Sequence, residues 1–319
     1  MIGGGVLTLS SRRLGGRGLP RPMRLLVSCI APSLLAVSGA SSQSSAPRLH
    51  QEYRANDPEG RLLAYYSAAM VFSPAGSLPL GARWTVGLEG SWIPMLSASQ
   101  RRPGIDKPET TNLAPLLPRP RLSVRTALAT FEASWVPPVT VAHARANLFA
   151  FAASRSVGSW HGFAFMPRLS IVGGRVQGAI TCNRGTVAGG GTALATYYAA
   201  VCHGRDSDDW FEPRLAAAEV VVRRVLSHGG EVPRASRVQA WLAVGGRADR
   251  SRFDIGVQRA DGSRDLDHPV LQLRAMRPHA SVGGAWRLGG RLTAAMEAFY
   301  APGSLATLRM FGGVSGGRR

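Results

Sequence analysis

The chain has 319 residues, 45% of them hydrophobic, with a mean hydropathy near zero and a formal charge of +19. This is too apolar for a disordered polymer and too polar for a bundle of membrane helices. The charge alone would suggest nucleic acid, but Lys107 is the single lysine, so the excess reflects a bias toward arginine, and no basic-plus-aromatic cluster of the single-strand-binding kind occurs.

Residues 1–43 read as an export signal. Arg21 and Arg24 precede an apolar run from Leu25 to Ser38, which leads into Gly39-Ala40-Ser41-Ser42-Gln43. Basic, apolar and small segments in that order are those of a secretory signal peptide, and a run of about 14 residues falls short of the roughly 20 that a spanning helix needs. Met23 stands as an alternative start. Beyond the leader the charge is about +14.

Residues 44–60, rich in Ser, Pro and charge, are expected to form an extended lead-in. From there to residue 311 the chain repeats one phrase, about ten residues alternating apolar and polar and closed by Gly, Pro or Asp. The alternation predicts strands with one apolar and one polar face. The first is expected over 61–72, where Leu62, Ala64, Tyr66, Ala68, Met70 and Phe72 share a face. The second is expected over 82–93, with Trp84, Val86, Leu88 and Trp92 on one side and Arg83, Thr85, Glu89 and Ser91 on the other.

Residues 94–120 hold six prolines together with Arg101, Arg102, Asp106, Lys107 and Glu109, and are expected as a long loop at a barrel mouth that could fold inward as a constriction. Further strands are expected over 121–135, 145–156, 158–167, 170–181, 193–203, 214–226, 236–247, 251–259, 269–276, 279–288, 290–300 and 304–311, which makes fourteen, with twelve nearly as defensible. Gly173-Gly174 and Gly289-Gly290 are expected to supply two-residue turns. Residues 312–319 are expected as a flexible tail.

Alternation of this kind fits two arrangements. A membrane barrel turns Phe253, Ile255, Val257, Leu271, Leu273, Val282, Trp286, Leu288, Leu292, Met296 and Tyr300 outward, whereas a soluble sandwich or ligand-carrying barrel turns them inward. Strand length, aromatics near strand ends (Trp84, Trp92, Trp135, Trp286, Tyr300) and small residues on the polar face favour the membrane. The fold class expected is therefore all-β, a single antiparallel up-and-down transmembrane β-barrel of 12 to 14 strands over 61–311.

In this pattern the chain resembles the bacterial outer-membrane β-barrel proteins, and its expected strand number is similar to that of the long-chain fatty-acid transporter barrels. The resemblance covers residues 61–311 as a succession of strands. It implies an outer-membrane location, contact with membrane lipid, and a last strand ending on an aromatic, where Phe311 stands ahead of Gly312 to Arg319. The fatty-acid transporters also carry an N-terminal plug, for which residues 44–60 are short.

With the apolar face outward, the lumen is expected to carry Arg83, Arg175, Arg237, Arg252, Arg274, Arg287 and Arg291 against Glu89, Asp254 and Glu297. Excess arginine in a narrow passage favours anionic solutes; the alternative is that these groups pair across strands and fill a closed interior. Cys182 and Cys202, an even pair in an exported chain, are expected to form a disulfide. Asp206 to Glu212 gathers four carboxylates but lacks the order of a calcium loop. The seven histidines form no zinc spacing, so no metal or cofactor is expected. Gly313-Val314-Ser315-Gly316-Gly317 fits a hydrolase elbow only in letters.

The function expected is passive uptake or binding of small or amphipathic solutes at the outer membrane, without catalysis. The alternatives are a soluble periplasmic β-protein that binds a ligand and, third, an outer-membrane hydrolase.

Overall fold

The computed structural model describes residues 50–77, 82–96, 115–141, 144–184, 195–196, 198–226, 237–288 and 291–317. The leader, most of the 97–120 segment and Gly289-Gly290 lie outside the described residues in whole or in part. Among the described residues there are fifteen strands: β1 (His50–Tyr53), β2 (Trp84–Trp92), β3 (Leu116–Arg125), β4 (Thr130–Val141), β5 (Ala144–Ser154), β6 (Gly158–Trp160), β7 (Phe163–Gly178), β8 (Asp209–Glu212), β9 (Leu215–Leu226), β10 (Arg237–Asp249), β11 (Arg252–Asp254), β12 (Val270–Leu273), β13 (Ala275–Leu288), β14 (Leu292–Ala301) and β15 (Leu305–Gly316).

Ten of them close into an antiparallel up-and-down barrel, in the order β2, β3, β4, β5, β7, β9, β10, β13, β14, β15, with β15 returning to β2. The barrel has fewer strands than the 12 to 14 expected: 61–72, 193–203, 251–259 and 269–276 supply no ring strand of their own and 158–167 merges with 170–181, while the expected strand 121–135 divides into β3 and β4. The stretch 158–181 forms one long strand and a short partner, because Gly173-Gly174 continues the ladder opposite Phe149 and Leu148 instead of turning. A Cβ at Gly173 would come within 2.9 Å of the Phe149 ring, and Gly174 has φ of +124°, so these glycines serve a crowded, irregular strand. The 193–203 stretch holds helical turn rather than strand, and 251–259 reduces to β11, outside the ring.

The largest departure is at the start. Residues 61–72 belong to helix α1 (Pro58–Met70) and the turn after it. A short apolar run rich in Ala and Leu satisfies both periods, and the deciding signals are Pro58 at the first helical position and Glu59 in the first turn. At the other end β15 runs to Gly316, so Gly312 to Gly316 seal the barrel against β2 instead of trailing as a tail.

The ring has two unlike mouths. At one, which we call the turn end, β3 joins β4 through 126–129 and β13 joins β14 through 289–291. At the other, the loop end, lie the connections 93–115, 179–214 and 250–274. There β8, β11, β12 and β1 extend the wall from β7 as a small mixed sheet, with β1 and β12 parallel. The Cys182–Cys202 disulfide packs on Val257 beneath this extension. Reducing it, or replacing both cysteines by serine, is expected to increase proteolysis within the 179–214 connection while leaving the ring intact, which limited digestion followed by peptide mapping reads directly.

Helix α1 starts at the loop end, and the residues after it reach the barrel interior, whereas β2 starts at the turn end. The chain therefore passes down the lumen before its first barrel strand begins. Polar side chains face inward along the wall and apolar ones outward. On β2, Thr85, Glu89 and Ser91 are buried, while Val86 and Leu88 are 50% and 53% exposed. The same outward exposure holds for Phe149, Ile171, Val244, Val282, Leu308 and Met310.

Candidate functional site

The interior is built on charge. Arg121 binds both Glu89 and Glu132, Arg168 binds Glu132 through Nε at 3.0 Å and also Glu219, and His279 lies 3.3 Å from Glu219. Arg119 stands 3.8 Å from Glu89, and Arg309 stands 3.4 Å from Glu297. Among the described residues, buried Arg119, Arg121, Arg168, Arg247 and Arg309 face buried Glu89, Glu132, Glu219, Asp249 and Glu297, an even balance and not the arginine excess expected.

These arginines also hold the inserted chain. A helix leaves its last carbonyls without intrahelical partners, and α1 has no basic residue in its last turn to meet them. The wall supplies the cations: Arg309 reaches the Ala68 carbonyl, Arg119 donates to Met70 O at 3.1 Å, Arg168 donates to Phe72 O at 2.9 Å, and Arg121 donates to Ser73 O at 2.8 Å. The Phe72 ring lies among the guanidinium groups of Arg119, Arg121 and Arg168, 5.7, 4.1 and 5.2 Å from its centroid. Ser73 Oγ donates to Glu297 at 2.7 Å. Residues 68–73 are thus a plug fastened from several sides.

Glu89 and Glu297, both expected in the lumen, sit in this network. The rest of the expected set is dispersed. Arg83 and Arg291 are exposed at the turn end and Arg287 is half-buried there; the side chain of Arg237 lies outside the described residues, and its backbone pairs with Arg287. Arg175 faces outward, 3.7 Å over the Trp210 ring and paired with Glu212. Arg252 and Asp254 are on β11, where Asp254 pairs with Arg264, and Arg274 reaches Glu52 at 3.8 Å. Arg252 and Asp254 are misplaced because Phe253 and Val257 are buried under the small sheet, so the alternation of 252–258 belongs to the extension and not to the ring.

Arg119, Arg121, Glu132, Arg168, Glu219 and Arg309 went unnoticed in the sequence. Arg121 and Arg119 alternate correctly with Leu122 and Pro120, but the prolines assign 118–120 to a loop. The carboxylates of 206–212 are structural: buried Asp209 accepts from the backbone of Ile180, Thr181 and Gly256. No group of metal-ligating side chains occurs among the described residues.

Beside the plug, toward the loop end, lies a narrow apolar cleft of about 70 Å³ with an open mouth. Tyr66, Ala69 and Met70 of α1 form one side; Leu117, Val136, Ala146 and Val176 form the other, with Phe211 and Ile180 above. Leu116 and Val139, which also line it, are 50% and 54% exposed on the outer wall, so the cleft reaches the outside through the wall itself.

That breach is written in the strands. The β3–β4 ladder runs from Arg125 opposite Thr130 to Arg121 opposite Ser134 and stops there, although β3 continues to Leu116 and β4 to Val141. Arg125 N donates to Arg83 O on the β2 side, so alternate positions, Pro118 and Pro120 among them, turn their N–H side toward β4, where proline has nothing to donate. Pro137 and Pro138 occupy the register slip on β4.

Fold and interior together define a closed, plugged antiparallel β-barrel with an apolar side cleft. No protein-family model matches the chain, and a comparison with curated proteins likewise gives no match.

Proposed function

We propose that the protein is a bacterial outer-membrane barrel that binds an amphipathic solute by its hydrocarbon chain, with the cleft beside α1 as the site and the β3–β4 seam as its side entrance. The seam carries the reading: an apolar cleft opens through a wall whose hydrogen bonds are interrupted by proline, at the height of the outward apolar belt. A hydrocarbon chain moving from a bilayer into such a cleft never crosses water, which removes the main cost of its transfer. The filled lumen argues for binding and lateral exchange, not for a water-filled pore. The belt of exposed Val, Leu, Phe and Trp supports a membrane setting over a soluble carrier. The role is binding, without chemistry.

Two measurements test it. Cell fractionation is expected to find the protein in the outer membrane, extractable with detergent and migrating faster on gels unless boiled; release with the soluble periplasm would sink the reading. In detergent, a fluorescent fatty acid is expected to bind, and Ala69→Trp, which fills the cleft, is expected to weaken it. Displacing two methylenes at about 0.8 kcal/mol each corresponds to roughly a tenfold loss. Equal affinity in the variant would remove the cleft as the site.

A further inference from the structure

Charge is divided unequally between the two mouths. The turn end carries Arg83, Arg125, Arg155, Arg223, Arg224, Arg287 and Arg291, with no acidic residue among the described residues there. Of the sixteen described carboxylates, five are buried in the interior and the other eleven, buried Asp209 among them, are at the loop end. The connection 227–236 adds one acid, Glu231, and one arginine, Arg234, and lies outside the described residues. A chain biased to arginine throughout would place acids at both mouths, so the separation is a property of this one.

At the same mouth an open polar groove of about 220 Å³ runs between the β3–β4 turn and the end of β5. Arg125, Arg155 and Arg223 border it, with Thr130, Ser154 and Ser156 between them. Ser154 is 3% exposed, and its hydroxyl is buried with no hydrogen-bond partner among the described residues. Three guanidinium groups bordering one groove whose lining includes an unpartnered hydroxyl have the chemistry of a phosphate site, because guanidinium donors match phosphate oxygens and a hydroxyl can donate to one more. Next to the groove the wall turns apolar, with Leu128, Val124 and Phe131 exposed.

We propose that the turn end binds the phosphodiester headgroup of an anionic glycerophospholipid, held by Arg125, Arg155, Arg223 and Ser154, with its acyl chains along the adjoining wall. This rests on the membrane reading above. It also gives the barrel a fixed direction, since the mouth with short connections takes the anionic leaflet and the loop end, of mixed charge, faces away.

The test uses the full chain folded in detergent, with heat-modifiable migration as the check on folding, and native mass spectrometry after exchange into equal phosphatidylglycerol and phosphatidylcholine. Phosphatidylglycerol is expected to be retained preferentially. Each arginine near an anionic headgroup is worth a factor of about five, so the combined R125Q, R155Q and R223Q variant should lose about a hundredfold. Ser154→Ala should lose less. If the combined variant fails to fold, Arg155→Gln alone, in an exposed turn, should still lose about fivefold. Neutralising Arg145, Arg205 and Arg214 at the loop end should change nothing.

Equal retention of the two lipids by a heat-modifiable barrel overturns the headgroup site and leaves the membrane reading standing. So does a loop-end variant that loses as much as the turn-end one, or complete displacement of the lipid by excess inorganic phosphate, which would make the groove a site for the free anion. A water-soluble chain without heat-modifiable migration overturns the membrane reading itself.

Discussion

Replacing Arg168 by methionine is expected to cost about 3–5 kcal/mol of stability, enough to abolish the folded, fast-migrating form under mild heating. The side chain is fully buried and ties four groups: Glu132 on β4, Glu219 on β9, and the Phe72 and Ser73 carbonyls of the plug. Removing it leaves buried Glu132 with Arg121 alone and buried Glu219 with His279 alone, and the penalty for a buried charge that has lost a partner exceeds what the intact pair contributes. That asymmetry supplies the control. If Glu132→Gln and Glu219→Gln are added to the methionine variant, most of the lost stability should return, because the offending charges are gone. Urea titration of the barrel in detergent, followed by gel migration, measures both. Loss of less than 1 kcal/mol in the single variant would mean that water reaches the network and screens it.

The second large effect is expected at Phe72, which is 1% exposed. Phe72→Ala removes the ring on which Arg119, Arg121 and Arg168 converge, and a buried aromatic cut to alanine costs about 3–5 kcal/mol. Part of that penalty falls on the plug and not on the wall, because the ten-strand ladder does not depend on Phe72. The variant should therefore separate two properties: the barrel still migrates as a folded species, while planar-bilayer recordings, silent for the wild-type protein, show ion passage. A silent Phe72→Ala barrel would mean that the remaining anchors at Ala68, Met70 and Ser73 hold the plug without the ring.

How far the sequence announces all this differs from element to element. The strands β2, β5, β9, β10, β13 and β14 follow the period-two alternation closely, because each has one face in a polar interior and the other outside. The disulfide pair is legible once Cys29 is assigned to the leader, because Cys182 and Cys202 then remain as an even pair. Helix α1 was hidden because Leu62 to Phe72 carries small and apolar residues on every face, as an element buried all round must, and such a stretch satisfies two periods at once. β3 was hidden by Pro118 and Pro120, which read as loop until one sees that the ladder on their side is absent. The Arg119, Arg121, Arg168 and Arg309 cluster was out of reach for a further reason: these residues lie on three strands distant in sequence, and what unites them is the carbonyl end of a helix inserted from elsewhere.

The route of the chain through the lumen also dictates an order of events. β2 and β15 meet at the last seam to be zipped, and the segment that occupies the lumen immediately precedes β2. Once that seam is sealed, residues 58–77 can enter only end-on, so the ring has to be wound around them while it is still an open sheet. A folded domain joined ahead of His50 would be left outside at the loop mouth, and one joined after Gly317 would hang from the opposite mouth. Two tags on one molecule would therefore sit at opposite mouths of the barrel.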